Sequence, residues 1–478
     1  MRQSGSLIAR AWIAVGTRWL PFADAATEGL PLGRLLRLSL FQVSVGMALV
    51  LLTGTLNRVM IVELSVPASV VAAMVALPIL FAPARALIGH RSDTYRSFLG
   101  WRRVPFIWMG TMLQFGGLAI MPFALLVLSG GGEAALPYAG VIGAALAFLL
   151  VGAGLHTVQT AGLALACDLA PAESRPRVVA LLYLMLLVGM LFSALAFSFI
   201  LAEFSHVRLI QVIQGAAVVT MGLNLIALWK QEGRNQAMTD PSLPRQPFAE
   251  AWASFVAVPH ARRLLVVIGL GTAGFTMQDV LLEPYGGEVL LLSVGQTTLL
   301  TALLAGGTIV GLFLAARALG GGFNTFRLAA LGALVGIVAF SLVIAAAPFE
   351  STLLFRVGTV LIGFGGGLFT VGLLTAAMDI ARTTGSGIAL GAWGAVQATA
   401  AGAAIAVGGA IRDGVEALAA RDMLGPVFQT PEAGYSVVYH IEIALLFAAL
   451  AAVGPLARFA GAPDPAERGR FGLEGFPG

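Results

Sequence analysis

The chain has 478 residues, of which 58% are hydrophobic and 11% charged, with a formal net charge of +4 and a mean hydropathy of +0.91. Soluble domains average about 45–50% apolar and about 25% charged residues, so this composition excludes a water-soluble globular enzyme, a disordered chain, a collagen and a disulfide scaffold, and leaves a polytopic helical membrane protein. The small positive charge, without an arginine cluster interleaved with aromatics, gives no reason to expect nucleic acid, and the single Cys167 excludes an internal disulfide and a Cys-based zinc site.

Residues 1–37 carry Arg2, Arg10, Arg18, Arg34 and Arg37 without a sustained apolar core or an Ala-x-Ala site, and so do not read as a signal peptide. Within them, Leu7 to Leu20 mixes Arg10 and Arg18 with Trp12, Ile13 and Trp19, a candidate interfacial helix or a plain basic tail. Apolar stretches then recur at 36–60, 66–88, 104–129, 137–166, 177–202, 206–229, 263–287, 294–316, 327–347, 353–378, 386–411 and 436–458. Each is long enough to cross about 30 Å of hydrocarbon. The longest polar interval, from Lys230 to about Pro259, divides them six and six. The expected organisation is an N-tail over 1–35, a six-helix bundle over 36–229, a central loop over 230–262, a second bundle over 263–458 and a C-tail over 459–478.

With both termini in the cytoplasm, all Lys and Arg except Arg58, Arg208, Arg356, Arg412 and Arg421 fall on the cytoplasmic side, as the positive-inside rule requires. An internal repeat supports the division. Gly54 and Glu63 at the end of span 1 recur as Gly274 and Glu283 at the end of span 7; Arg85-Ala-Leu-Ile-Gly89 with Asp93-Thr-Tyr-Arg96 recurs as Arg317-Ala-Leu-Gly-Gly321 with Asn324-Thr-Phe-Arg327; Cys167-Asp168-Leu-Ala recurs as Met378-Asp379-Ile-Ala. An even number of helices per copy makes the two halves parallel repeats about an axis normal to the membrane.

No nucleophile–base constellation, phosphate loop or metal-ligand spacing is present, and the glycine-rich strings lie inside apolar spans, so no enzyme is expected. Small-residue spacings at Gly307/Gly311, Gly332/Gly336, Gly363/Gly367 and Gly387/Gly391 point to close helix packing inside the chain, or to a docking face for a guest helix. Asp168 and Asp379 close spans 4 and 10 and are followed by Arg175, Arg177 and Arg382, which suits salt bridges with the Arg-containing loops or a latch between the halves. His440, early in span 12 with Tyr435 and Tyr439 near, reads as an interfacial anchor.

The stretch Gly89-His-Arg-Ser-Asp93, with its basic pair delayed to Gly100-Trp-Arg102-Arg103, resembles the loop signature Gly-x-Leu-Ala-Asp-Arg-x-Gly-Arg-Arg of the major facilitator superfamily. Longer strings are more specific: Leu20-Pro-Phe-Ala-Asp24, Leu30-Pro-Leu-Gly-Arg-Leu-Leu-Arg-Leu-Ser-Leu-Phe-Gln42, Gly54-Thr-Leu-Asn-Arg-Val-Met-Ile-Val-Glu-Leu64, Gln114-Phe-Gly-Gly117 and Gln278-Asp-Val-Leu-Leu-Glu-Pro-Tyr-Gly286. Together these resemble the PucC/LhaA light-harvesting assembly family, the bacteriochlorophyll delivery branch of that superfamily.

The resemblance implies an all-α membrane protein with twelve transmembrane helices in a 6+6 pseudo-symmetric bundle, in the bacterial inner (intracytoplasmic) membrane. It implies assembly of light-harvesting complexes (LH1 or LH2), bacteriochlorophyll as a transient cofactor, and light-harvesting antenna polypeptides, the reaction-centre core complex and bacteriochlorophyll synthesis enzymes as partners beside membrane lipid. An ion-coupled secondary transporter of an amphipathic or small solute is the alternative function, and a permanent structural subunit of the antenna assembly a third. Since helices 1 and 7 face each other in the superfamily, Arg58 is expected to pair with Asp279 or Glu283 across the halves, with Glu63 beside it, as a gate or headgroup site; Glu63 and Glu283 also suit water beyond the helix ends. The loop resemblance groups Arg85, Gly89, Asp93, Arg96, Arg102, Arg103, Asp168, Arg317, Arg327 and Asp379 as a cytoplasmic latch, or as simple positive-inside anchoring. His156 is the expected magnesium ligand, with Gly152 a turn earlier leaving room for a flat macrocycle and Gln159 on nearly the same face; a histidine bonded between helices and a proton relay are the other readings.

Overall fold

The computed structural model describes residues 30–80, 101, 103–129, 138–171, 174–232, 260–384 and 386–459. Within them the main elements are α1 (Leu32–Glu63), α2 (Ala68–Leu80), α3 (Val104–Leu128), α4 (Ala139–Leu169), α5 (Arg175–Ile200), α6 (His206–Leu228), α7 (Ala261–Glu288), α8 (Val294–Gly320), α9 (Thr325–Ala346), α10 (Thr352–Thr384), α11 (Ser386–Ala419) and α12 (Ala433–Phe459). Among the described residues eleven of these are long and apolar enough to cross a membrane; α2, in the expected span 66–88, is described only as far as Leu80. The outer surface agrees with a lipid solvent: Phe123, Phe192 and Phe199 stand 65%, 65% and 84% exposed, which a water-facing bundle would not tolerate in such number.

Several helices overrun their apolar spans. α1 extends the expected 36–60 at both ends, α10 continues past 378 so that Asp379 lies inside it, and α11 runs to Ala419 rather than 411. Hydropathy falls at the first charge, whereas the backbone ladder continues until a cap or a break ends it. The starts are chemically specified. Ser205 caps α6 by accepting from the Arg208 backbone N–H at 3.2 Å, Ser293 and Gln296 form a reciprocal capping box on α8, and Asn324 accepts from the backbone N–H groups of Phe326 and Arg327 at 2.9 and 3.1 Å at the start of α9. At α3, Glu232 accepts from the backbone N–H groups of Arg103 and Val104, both at 2.9 Å at the shortest, which puts a carboxylate on the positive end of the helix dipole.

The packing repeats between the first six helices and the last six. α3 packs on α4 and α6 as α9 packs on α10 and α12, and α1 packs on α5 and α6 as α7 packs on α11 and α12. Two contacts join the halves in the same symmetric sense, α2 with α11 and α5 with α8. Below, the end at which α1 begins is called proximal and the opposite end distal. Glycines set the spacing within the halves. Gly154 faces the Gly110 carbonyl, and Gly332 and Gly336 of α9 meet Gly365 and Phe275; a Cβ on Gly332 would fall 2.5 Å from the Gly365 carbonyl oxygen and 2.6 Å from the Phe369 nitrogen. Gly307 and Gly311 meet the α10 backbone at Val360 and Phe364 in the same way. These small-residue stripes are therefore filled by the chain's own helices. In the first half a buried polar cluster ties three helices: Ser44 of α1 donates to Asn224 of α6 at 2.8 Å, and Asn224 donates to Thr111 of α3 at 2.9 Å.

The obstruction at Gly332 is rigid backbone, so Gly332→Ala is expected to lower stability by about 1–3 kcal/mol through overpacking. Gly215→Ala, with open space around the new methyl, is expected to leave it unchanged. Thermal unfolding of the detergent-solubilised protein measures both.

Candidate functional site

The site is the distal seam between the halves, where α1 meets α7 and α8. α1 departs from α geometry twice there, in π turns at Val50–Thr55 and Val59–Glu63, and α7 is interrupted by a 3-10 turn at Met277–Val280. Such irregular turns re-aim side chains and gather at functional positions. Gly54 has no side chain because Glu283 lies in that space, with the Thr301 hydroxyl 2.9 Å from where a Cβ would sit. Glu283 is 3% exposed and accepts a hydrogen bond from Thr301 of α8 at 2.5 Å. One turn away, the hydroxyls of Thr55 and Thr298 lie 3.2 Å apart across the same seam.

Arg58, 4% exposed, is the cation of the seam. Sequence reasoning expects it to pair with Asp279 or Glu283 of the other half. Its ion-pair partner is instead Glu63 of its own helix, five residues on, which the π turn brings back beneath the guanidinium. Arg58 still bridges the halves, by donating to the Leu292 carbonyl at 3.2 Å and by filling the space beside Gly287, where a Cβ would be 2.9 Å from the guanidinium nitrogen. Asp279 accepts from the Gln278 side chain at 2.6 Å, and its backbone carbonyl accepts from Asn57 of α1 at 3.4 Å. Glu283 is not in water beyond a helix end but buried inside the seam, whereas Glu63 is partly exposed.

A second polar network extends the seam through residues that sequence reasoning missed. Arg412 of α11 pairs with Glu288 of α7 at 2.7 Å and with Asp413 at 3.0 Å, and stacks over the Tyr435 ring at 5.0 Å. Tyr435 of α12 donates to the same Glu288 oxygen at 2.7 Å. Asp413 in turn accepts from the backbone N–H groups of Ala68 and Ser69 at 3.2 and 2.7 Å, capping α2 of the other half. Glu442 of α12, fully buried, accepts from the Gln278 backbone N–H at 2.8 Å. Glu442 is an acid in the middle of an apolar span, a signal legible by the same rule that singled out Arg58. Arg412 escaped because the predicted span stops one residue before it.

Among the proximal residues, Arg103 pairs with Asp168 at 3.0 Å, joining α3 to α4. Arg34 donates to Gln231 at 3.0 Å. Arg317 and Arg327 are exposed. Arg85, Gly89, Asp93, Arg96 and Arg102 lie outside the described residues, as does the side chain of Asp379. The expected pigment cradle on α4 is not open at Gly152, because Pro78 of α2 packs into it with its Cγ 2.5 Å from where a Cβ would stand. His156 is half-buried and Gln159 buried. Gly152 thus serves helix packing and leaves no flat face there.

The distal seam joins the two halves through small and ionisable side chains. The model of the family described as PUCC protein matches residues 55–460. The chain belongs to that family. It is 61% identical over 406 residues to Protein PucC of Rhodovulum sulfidophilum, covering 84% of this chain and 89% of the relative. It is 54% identical over 457 residues to Protein PucC of Cereibacter sphaeroides, covering 95% and 98%. A Rhodobacter capsulatus protein named Bacteriochlorophyll synthase 44.5 kDa chain is 30% identical over 397 residues, covering 80% and 87%. Among solved structures, an inward-facing, unoccupied bacterial homolog of the human lysosomal transporter Spinster superposes with a TM-score of 0.64 at 17% identity, covering 89% of this chain and 96% of that one. The partially occluded, inward-open xylose transporter XylE of E. coli gives a TM-score of 0.59 at 16% identity, covering 90% and 97%. The fold of this PUCC-family chain is therefore the all-helical bundle seen in these transporters, as the sequence leads one to expect.

The seam predicts a crosslink. In a Cys167→Ser background, Thr55→Cys with Thr298→Cys is expected to form a disulfide on mild oxidation, since the two hydroxyls already lie 3.2 Å apart. Peptide mapping by mass spectrometry reads the bond directly. Failure to crosslink in the membrane means that the halves are not closed at this end.

Proposed function

We propose that this protein is a non-enzymatic assembly factor for the light-harvesting complexes of photosynthetic bacteria, LH1 or LH2, that delivers bacteriochlorophyll to the antenna polypeptides or chaperones them. The observation that carries this reading is the family match across residues 55–460. Its place is the bacterial inner (intracytoplasmic) membrane, with both termini cytoplasmic. Its partners are the antenna polypeptides, with the reaction-centre core complex and the enzymes of bacteriochlorophyll synthesis nearby; the printed name of the Rhodobacter capsulatus relative supports that neighbourhood. Bound bacteriochlorophyll supplies a magnesium macrocycle, and the chain's own part is to bind it and keep it from water. The outer helix faces support a membrane-embedded client: Phe123, Phe192, Val218 and Phe199 stand exposed on α3, α5 and α6, where a single-span antenna helix would meet them.

An ion-coupled secondary transporter of an amphipathic or small solute is the second reading. It is favoured by the buried acids Glu283, at the seam, and Glu442, against the α7 backbone, and by a fold shared with transporters. Deleting the gene in its phototrophic host separates the two. On the first reading the antenna absorption bands are lost, reaction-centre absorption and pigment synthesis persist, and a plasmid copy restores the antenna. An unchanged antenna spectrum, with proton-coupled solute flux in proteoliposomes, overturns it in favour of transport.

A further inference from the structure

His440 lies on the outer side of α12. The exposed stripe of α12 runs through His440, Ala444, Phe447 and Ala451 at helical spacing, while Tyr435, Tyr439, Glu442 and Leu446 face inward. His440 lies about two turns from the distal start of α12, and the stripe continues from it along the outer face of the helix. The ring is held in a defined state. Its Nδ1 lies 2.7 Å from the Ser436 carbonyl, one turn back, and a carbonyl only accepts, so Nδ1 carries the proton. In the neutral ring Nε2 is then the lone-pair nitrogen, and it has no hydrogen-bond partner among the described residues.

Beside the ring is a groove of about 570 Å³ between α12 and the segment that precedes it, lined mostly by apolar side chains such as Phe428, Val437 and Ile441, with the polar Thr430, Glu432 and Ser436 beside His440. That volume falls in the range of small-molecule sites. The residues one turn either side of His440 on its own face, Ser436 and Ala444, are small, so the imidazole projects beyond them. Among the described residues no group of three His, Cys, Asp or Glu could hold a free metal ion, which needs several protein donors. A metal that arrives with four ring nitrogens needs one.

We infer that His440 supplies a nitrogen, through Nε2, to the metal of a planar membrane-soluble tetrapyrrole held in this groove. The site rests on the pigment reading above and moves the contact from α4, where Pro78 fills the space beside Gly152, to the outer face of α12.

The full-length protein in detergent is titrated with bacteriochlorophyll a and with its metal-free counterpart, bacteriopheophytin a, reading affinity from absorption and coordination from resonance Raman spectra. The wild type is expected to bind the magnesium pigment at least ten-fold more tightly and to show a five-coordinate magnesium. His440→Leu is expected to abolish that preference, and His156→Leu to retain it. His440→Gly is expected to lose the preference and regain it on adding imidazole, which a folding defect would not do. An unchanged preference in His440→Leu, or none in the wild type, overturns the site. The antenna spectrum of the deletion strain answers separately: if it depends on the gene while His440→Leu keeps the preference, the assembly reading stands and the His440 site falls.

Discussion

The close approach of α1 to α7 and α8 at Gly54 is the constraint on which the rest of the site depends. With no side chain at Gly54, the Glu283 carboxyl can occupy the gap between the halves and still reach the Thr301 hydroxyl at 2.5 Å. Any larger residue would force the acid out and separate the Thr55 and Thr298 hydroxyls beside it. The same economy recurs at Gly287, whose missing side chain admits the Arg58 guanidinium. Two glycines thus allow two ionisable groups to be buried at an interface between symmetric bodies, where each contact is lost if those bodies rock apart.

Duplication explains why the two copies of one motif behave differently. Glu63 and Glu283 occupy matching places, 220 residues apart, yet one is partly exposed and the other is sealed in the seam. The position matching Arg58 in the second copy is Gln278. Glu63 therefore finds a cation on its own helix, and Glu283, with no such partner five residues before it, bonds to Thr301 of α8 and packs against Gly54 of the opposite half. Gly54 and Gly274 show a parallel divergence: the first packs across the seam, while the second packs within its half, with a Cβ there 3.0 Å from Leu446 of α12. The repeat keeps the helix packing and has reassigned the charges.

Fold and site were unequally legible in the sequence. Apolar length and the Lys/Arg distribution suffice for the helices, because a spanning segment must be uniformly apolar whatever it packs against. The ends of α10 and α11 were not legible, because hydrogen bonding carries a helix past the charges at which hydropathy stops. Arg58 and Glu283 were rightly singled out as unusual in an apolar span, but the π turns in α1 decide where Arg58 points, and no composition rule registers them. The missed residues Glu288, Arg412 and Asp413 sit where apolar spans end, so each reads alone as a solvated surface charge; only the packed helices bring Glu288 and Arg412 to 2.7 Å. Gly152 failed as a platform because a glycine says that something approaches closely without saying what, and here it is Pro78.

The second polar network gives α12 a physical route to the seam. Tyr435 of α12 bonds to Glu288 of α7, Glu288 pairs with Arg412 of α11, and the adjacent Asp413 caps α2 of the opposite half. Glu442, half a turn beyond His440, bonds to the α7 backbone beside Asp279. A shift of α12 within the bundle would therefore disturb hydrogen bonds on both faces of α7 and the cap on α2 at once. By linkage, a ligand on the outer face of α12 changes the closure of the seam only to the extent that it binds the closed and open states unequally, and closure changes its affinity by the same factor. On the proposed function, a carrier that holds a lipidic cargo and releases it to a client helix needs that reciprocity, and Tyr435–Glu288–Arg412–Asp413 is a continuous run of hydrogen bonds and ion pairs from α12 to α2 that could transmit it.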